Sequence, residues 1–182
     1  MIQSALSPRK KLFRSLASPD TCIDCESNLL AILKKHPCWA VLVFSIQDHY
    51  LFTNLYGDAL VRDLEEELVK NLLDAAREET GLEETYCFQP NTGEMLLLWP
   101  GTLALMSRLP DTTYAIKLKA RSTLKHLMLQ KTGREVELVV GHAALVLDQG
   151  ADIEREFLLT VREARRSAMT RTDLSQLELS ST

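Results

Sequence analysis

Asn91-Thr92-Gly93-Glu94-Met95 places a carboxylate directly after a turn-forming cluster, where an acid could serve as proton acceptor or metal ligand beside a bound substrate. Asp48-His49-Tyr50 sets a carboxylate and a phenol around the side chain whose ordinary pKa lies nearest neutrality. No nucleophile pairs with that cluster by spacing, so His49 reads as a surface hydrogen-bonder in a loop leaving a strand. Cys22-x-x-Cys25, followed by His36 and Cys38, has the residue types of a zinc site. The spacing opposes it: if 25–36 is helical, its ends lie roughly 16 Å apart, too far for one tetrahedral ion. A redox dithiol at a helix N-terminus is an alternative, and inert thiols are the simplest reading. Glu65-Glu66-Glu67 reads as the wet face of a helix, and His142, between Gly141 and Ala143, as either a packed, satisfied histidine or one facing a cleft.

These residues need elements to position them. Residues 1–19, with Pro8, Arg9-Lys10-Lys11 and Ser18-Pro19, read as a flexible, solvated lead-in. Asp24 can cap a helix carrying Leu29, Leu30 and Leu33, which His36-Pro37 stops. Trp39 to Ile46 is a near-continuous apolar run, the pattern of a central strand buried on both faces. A helix over about 57–80 has Leu60, Leu64, Leu68, Leu72 and Ala76 at four-residue spacing, with Gly81 as C-cap. Glu84–Gln89 and Glu94–Trp99 flank Pro90-Asn91-Thr92-Gly93 and read as an antiparallel hairpin.

After Pro100-Gly101 a short helix is expected over Thr102–Arg108, then a longer one from Asp111 or Thr112 to about Gln130, whose wet face carries Lys117, Lys119, Arg121 and Lys125. Glu135–Leu147 reads as a long strand and Ile153–Met169 as an amphipathic helix, leaving 171–182 as a flexible tail. The fold class is therefore α+β, with a mostly antiparallel central sheet and helices packed on it.

At 182 residues, 46% of them hydrophobic, the chain suits a single core. A formal net charge of −4 provides no positive field for a phosphate backbone, so nucleic acid is disfavoured as partner. No stretch approaches the roughly 20 apolar residues of a membrane span, and four cysteines are too few to read as a disulfide framework. A cytoplasmic protein with reduced thiols is expected.

The element order and the local spacing resemble the GGDEF domain, the palm-like fold of bacterial diguanylate cyclases, which join two GTP molecules into cyclic di-GMP. The likeness covers residues 20–170. The family's first motif, D-x-D-x-F-K-x-x-N-D-x-x-G-H after an apolar strand, lies without gaps over Ser45 to Asp58, and its Leu-Tyr-Gly ending matches Leu55-Tyr56-Gly57. The signature loop falls on Asn91-Thr92-Gly93-Glu94-Met95, and the family's last helix on Val161–Met169, with Ala164 and Ala168 in register.

What the resemblance implies about chemistry is mostly loss. The family's two metal carboxylates fall on Ser45 and Gly93, its guanine-reading pair on Thr53 and Arg62, its phosphate-anchoring lysine on Met169, and the arginine four residues later on Asp173. Mg²⁺ needs hard oxygen ligands, and neither a hydroxyl nor a hydrogen replaces a carboxylate. Glu94 is the acid that remains, and without metal partners it reads as a solvated turn residue. The product-inhibition motif would fall on Leu82-Glu83-Glu84-Thr85 and is absent.

The resemblance thus implies a degenerate GGDEF-like domain with no catalytic residues, no metal and no cofactor, acting as a regulatory or protein-interaction module, with a protein partner or further domains of a larger signalling protein. A homodimer is compatible with it, with the acidic helix or segment 102–112 as interface. The alternative is a sensor that binds cyclic di-GMP or GTP in a vestigial cleft lined by Ser45, Thr53, Asn54, Arg62, Gly93 and Glu94. An unrelated activity on the same palm lacks a visible nucleophile–base pair.

Overall fold

The computed structural model describes residues 25–179. The chain runs α1 (Cys25–Leu33), β1 (Cys38–Ile46), α2 (His49–Tyr56), α3 (Asp58–Thr80), β2 (Tyr86–Asn91), β3 (Glu94–Pro100), α4 (Leu103–Ser107), α5 (Leu109–Thr132), β4 (Leu138–Val146) and α6 (Ile153–Leu179). The expected lead-in, Cys22 and the Asp24 cap lie outside the described residues, as do the side chains of Cys25, Met169 and Asp173.

The four strands form one antiparallel sheet in the order β2-β3-β1-β4. The apolar run of β1 is central because both its faces are covered. Ala40, Leu42, Phe44 and Ile46 enter one core with Leu64, Leu68 and Leu72 of α3 and Ile116, Ala120 and Leu124 of α5. Trp39, Val41 and Val43 enter the other with Leu29 and Leu33 of α1 and Phe157, Val161 and Ala164 of α6. Alternation along one strand thus assigns successive side chains to two helical layers, and each large apolar side chain so buried contributes about 1.5–3 kcal/mol.

Trp39 also closes the end of α1. Its indole Nε1–H donates to the Leu33 carbonyl at 3.0 Å and the His36 carbonyl at 3.1 Å, oxygens that the end of the helix leaves without intrahelical donors. On the same face, α6 lies against β4 through Gly141. A Cβ there would overlap the backbone carbonyl of Ala164 and come within 2.6 Å of the Ala168 nitrogen. The alanines singled out on the last helix therefore mark where two backbones meet.

Most elements match the sequence expectation within a few residues, and Gly81 does cap α3, with φ 70 and its N–H bonded to the Arg77 carbonyl at 2.8 Å. Two differences matter. Residues 49–56, expected as loop, form α2: Asp48 takes a left-handed conformation, φ 55, that turns the strand directly into the helix. α2 contains no fully buried residue, and its eight residues are too few for the four-residue spacing of Leu51 with Leu55 and Phe52 with Tyr56 to stand out as a stripe. The last helix continues beyond Met169 to Leu179.

Candidate functional site

The corner where β1 ends and the β2–β3 hairpin turns gathers most of the singled-out residues. Antiparallel pairing sets Ser45 opposite Glu94, and the Ile46 N–H donates to the Gly93 carbonyl at 2.9 Å. By strand alternation Ser45 and Glu94 share the face covered by α6. Gly93 sits in the turn with φ 76, a conformation that favours glycine.

A side chain at Gly93 would have no room. Its Cβ would lie 2.5 Å from Cγ and Cδ2 of His49 and 2.9 Å from His49 Cβ. His49 opens α2, and its Nε2 lies 3.1 Å from Oε1 of Glu65 on α3. That same oxygen accepts the Gly93 N–H at 2.5 Å. One buried carboxylate therefore ties together the hairpin turn, the start of α2 and the body of α3, and the imidazole fills the volume that a longer side chain at 93 would take.

Two expectations are corrected here. Glu65 is not on the wet face of its helix: the residue is 4% exposed. It stands at four-residue spacing between the buried Val61 and Val69, a second stripe beside the leucines, and that spacing is the sequence signal for its burial. Its burial is tolerated because the carboxylate is hydrogen-bonded. His49 likewise is no surface hydrogen-bonder, since its side chain is 19% exposed and packed on the turn. His142, half-buried on β4, pairs across the sheet with Leu42, three rows from the Ser45–Glu94 pair, on the face of α3 and α5.

Glu94 corrects a third. Its side chain is 15% exposed rather than solvated, and Arg165 of α6 grips both its oxygens, Nε to Oε2 at 2.9 Å and Nη2 to Oε1 at 2.5 Å. Asn91 Nδ2 adds a bond to Oε1 at 3.2 Å. A fork-shaped guanidinium matches a carboxylate in charge and geometry, so the one retained acid of the signature already has its counter-ion. Arg165 lies 71 residues away along the chain, and no local spacing points to it. Glu65 and Glu94 reach the turn from opposite faces of the sheet and do not converge as a ligand pair. Among the described residues no group of three His, Cys, Asp or Glu side chains could hold a metal ion.

The other cleft candidates stand apart. Thr53 turns its hydroxyl back onto its own helix, donating to the His49 carbonyl at 3.1 Å. Asn54 on α2 and Arg62 on α3 are exposed, and among the described residues no hydrogen bond or ion pair joins either to the Gly93–Glu94 turn.

The stretch Leu82–Thr85 is structural. Thr85 donates to the Leu82 carbonyl, and Glu84 bonds His36 Nε2 at 2.9 Å and the Tyr86 hydroxyl at 3.0 Å, with Lys35 Nζ at 3.6 Å. Partial burial opposes the charge on Glu84, but the bonds from His36 and Tyr86 and the nearby Lys35 outweigh it and hold this carboxyl below the ordinary range. Burial pushes the Cys87 thiol up to about 12 and raises Cys38 as well, as expected of inert thiols.

No family model and no curated protein matches the chain by sequence. Solved structures do match by shape. Diguanylate cyclase SiaD from Pseudomonas aeruginosa, solved in complex with its activator SiaC, superposes with a TM-score of 0.59 at 18% identity, over 91% of this chain and 60% of that one. The GGDEF domain of DgcB from Caulobacter crescentus, solved with c-di-GMP, gives 0.56 at 10% identity over 81% of each chain. The active GGEEF domain of a diguanylate cyclase from Vibrio cholerae gives 0.51 at 12% identity, over 79% of this chain and 82% of that one. The fold is therefore that of a GGDEF-like domain, palm-like with helices packed on an antiparallel sheet, as the sequence resemblance implied. Among the described residues no helix is long and apolar enough to cross a membrane.

Proposed function

We propose that this chain is a GGDEF-like domain without diguanylate cyclase activity, working as a regulatory or protein-interaction module in cytoplasmic, bacterial cyclic di-GMP signalling. The observation that carries this reading is the occupation of the signature corner. The family's metal positions fall on a serine and a glycine, the space beyond that glycine is taken by His49, and the remaining acid is bound by Arg165. Phosphodiester formation needs a metal to neutralise charge as the attacking oxygen meets the phosphate, and the loss of even one such group costs several kcal/mol of transition-state stabilisation. A neighbour of this fold solved with an activator protein supports a protein partner as the object of regulation.

The exposure of Asn54 and Arg62 on adjacent helices favours a second reading, a sensor of cyclic di-GMP or GTP, because a free guanidinium can clasp phosphate or guanine. Incubation with GTP and Mg²⁺ or Mn²⁺, followed by chromatography for cyclic di-GMP, is expected to show none; turnover at ordinary enzyme concentrations would sink the inactive reading. Calorimetric titration with each nucleotide separates the two: heat that disappears in Arg62→Ala supports the sensor, and no heat leaves the interaction module.

A further inference from the structure

The formal charge of −4 is unevenly divided along the chain. Residues 1–19, which lie outside the described residues, hold Arg9, Lys10, Lys11 and Arg14 and no acid, so a segment of +4 precedes a remainder, 20–182, of −8. Leu12, Phe13 and Leu16 stand among these cations. Such a segment is complementary to one kind of surface, apolar area within an acidic rim.

α2 has that surface. Its inner side carries His49, Phe52 and Tyr56, with Phe52 packed on the core and its ring 5.8 Å from that of Tyr56. The opposite side carries Tyr50, 79% exposed, Leu51, 49%, and Leu55, 51%, close together on little more than two turns. Apolar area left in water in this way is stabilised by any segment that covers it. Around it Asp48, Asp58, Asp63 and Glu66 are exposed beside one cation, Arg62. Asp63 has a distant partner, Lys131 at 3.9 Å, and among the described residues no ion pair reaches the other three acids.

The other groups of exposed apolar side chains stand among cations. On α6, Leu158 and Leu159 are exposed beside Arg155, Arg162 and Arg166. On α5, Tyr114, Leu118 and Leu129 share the wet side with Arg121 and Lys125. Neither face suits a basic segment.

We propose that segment 9–16 docks within its own chain on the outer face of α2, with Leu12, Phe13 and Leu16 covering Tyr50, Leu51 and Leu55 and the cations facing the acidic rim. The tether is long enough. The nine steps from Leu16 to Cys25 reach about 30 Å when extended, against about 26 Å for β1, which runs from the end of α1 to the start of α2. α1 packs on β1 rather than leading away from it. So short a tether holds the segment at an effective concentration of order mM, and contacts too weak to join separate molecules close within one. The segment is thus a built-in occupant, which any partner of the α2 face has to displace.

Limited trypsin digestion of the full chain tests this, since cleavage after Lys11 or Arg14 needs the segment released and its rate follows the released fraction. Leu51→Asp/Leu55→Asp should speed these cuts roughly tenfold, while Leu158→Asp/Leu159→Asp on α6 should leave them unchanged, with thermal melting to show that both variants fold. Leu12→Ser/Phe13→Ser, which leaves the face of α2 untouched, should speed them as much. A carbodiimide, which joins an amine to a carboxylate in contact, should link Lys10 or Lys11 to Asp58 or Glu66 in species of monomer mass. Equal cleavage of the parent and the α2 variant, links spread over acids of the whole surface, or links confined to species of dimer mass would overturn the proposal. Cleavage slowed only by added phosphatidylserine vesicles would overturn it too, and make the segment a lipid contact.

Discussion

Replacing Gly93 by alanine probes the feature on which the loss of chemistry rests, the filling of the signature corner by His49. Two costs combine. The backbone at 93 has φ 76, which a residue with a Cβ adopts at about 1–2 kcal/mol. The new methyl would also stand 2.5 Å from the His49 ring and 2.9 Å from His49 Cβ. Rotating the ring cannot relieve the second contact, because that Cβ is fixed to the first turn of α2. Overpacking of this kind costs about 1–3 kcal/mol, so Gly93→Ala should destabilise the protein by roughly 2–5 kcal/mol.

A double-mutant cycle with His49→Ala, measured by urea unfolding, isolates the ring's share of the steric cost. With the ring gone, its share of the steric part is relieved, while the backbone part and the contact with the retained Cβ remain, so a coupling of about 1–2 kcal/mol is expected between the sites. Gly93→Ala costing the same in both backgrounds would refute the packing of His49 on the turn. The inference that the metal corner is occupied would fall with it. The cycle also separates crowding from the loss of the His49–Glu65 bond, which His49→Ala incurs alone.

Two further outcomes follow from the geometry. Gly141→Ala should destabilise by more than about 3 kcal/mol, above a usual overpacking cost, because its methyl meets the Ala164 carbonyl and Ala168 nitrogen rather than a movable side chain. Thermal melting checks it, and a melt within a degree of the parent would show that α6 does not lie on β4 at this point. The folded-state pKa of Glu84 is depressed below its ordinary 4.5, so its bonds to His36 and Tyr86 stabilise the fold above that value and are lost as pH falls through the lower folded value. Glu84→Gln should therefore lower stability at pH 6–7 and converge with the parent at the acid end of a pH series; a pH-independent difference would deny the linkage.

The layers of the fold were legible wherever burial leaves a period. The apolar run Trp39–Ile46, the four-residue spacing of Leu64, Leu68 and Leu72, and the turn at Asn91–Gly93 each report a local constraint, and each element formed within a few residues of its expected place. Even Glu65 has a signal in the flanking Val61 and Val69, masked by the acidic run Glu65-Glu66-Glu67. α2 displayed only two i, i+4 pairs, Leu51 with Leu55 and Phe52 with Tyr56, over little more than two turns, too short a run to declare a helix.

The absence of carboxylates at positions 45 and 93 was settled by the sequence alone, because metal ligation depends first on which atoms a side chain carries, and Ser45 and Gly93 carry no carboxylate wherever they lie. The residues that took over the corner emerged only from the tertiary structure. Arg165 meets Glu94 across 71 residues, and His49 and Glu65 meet Gly93 from two different helices. Such partnerships are created when layers pack and desolvate a carboxylate, which then must find a donor nearby. That requirement arises in space, between elements whose separation along the chain gives no measure of their distance in the fold.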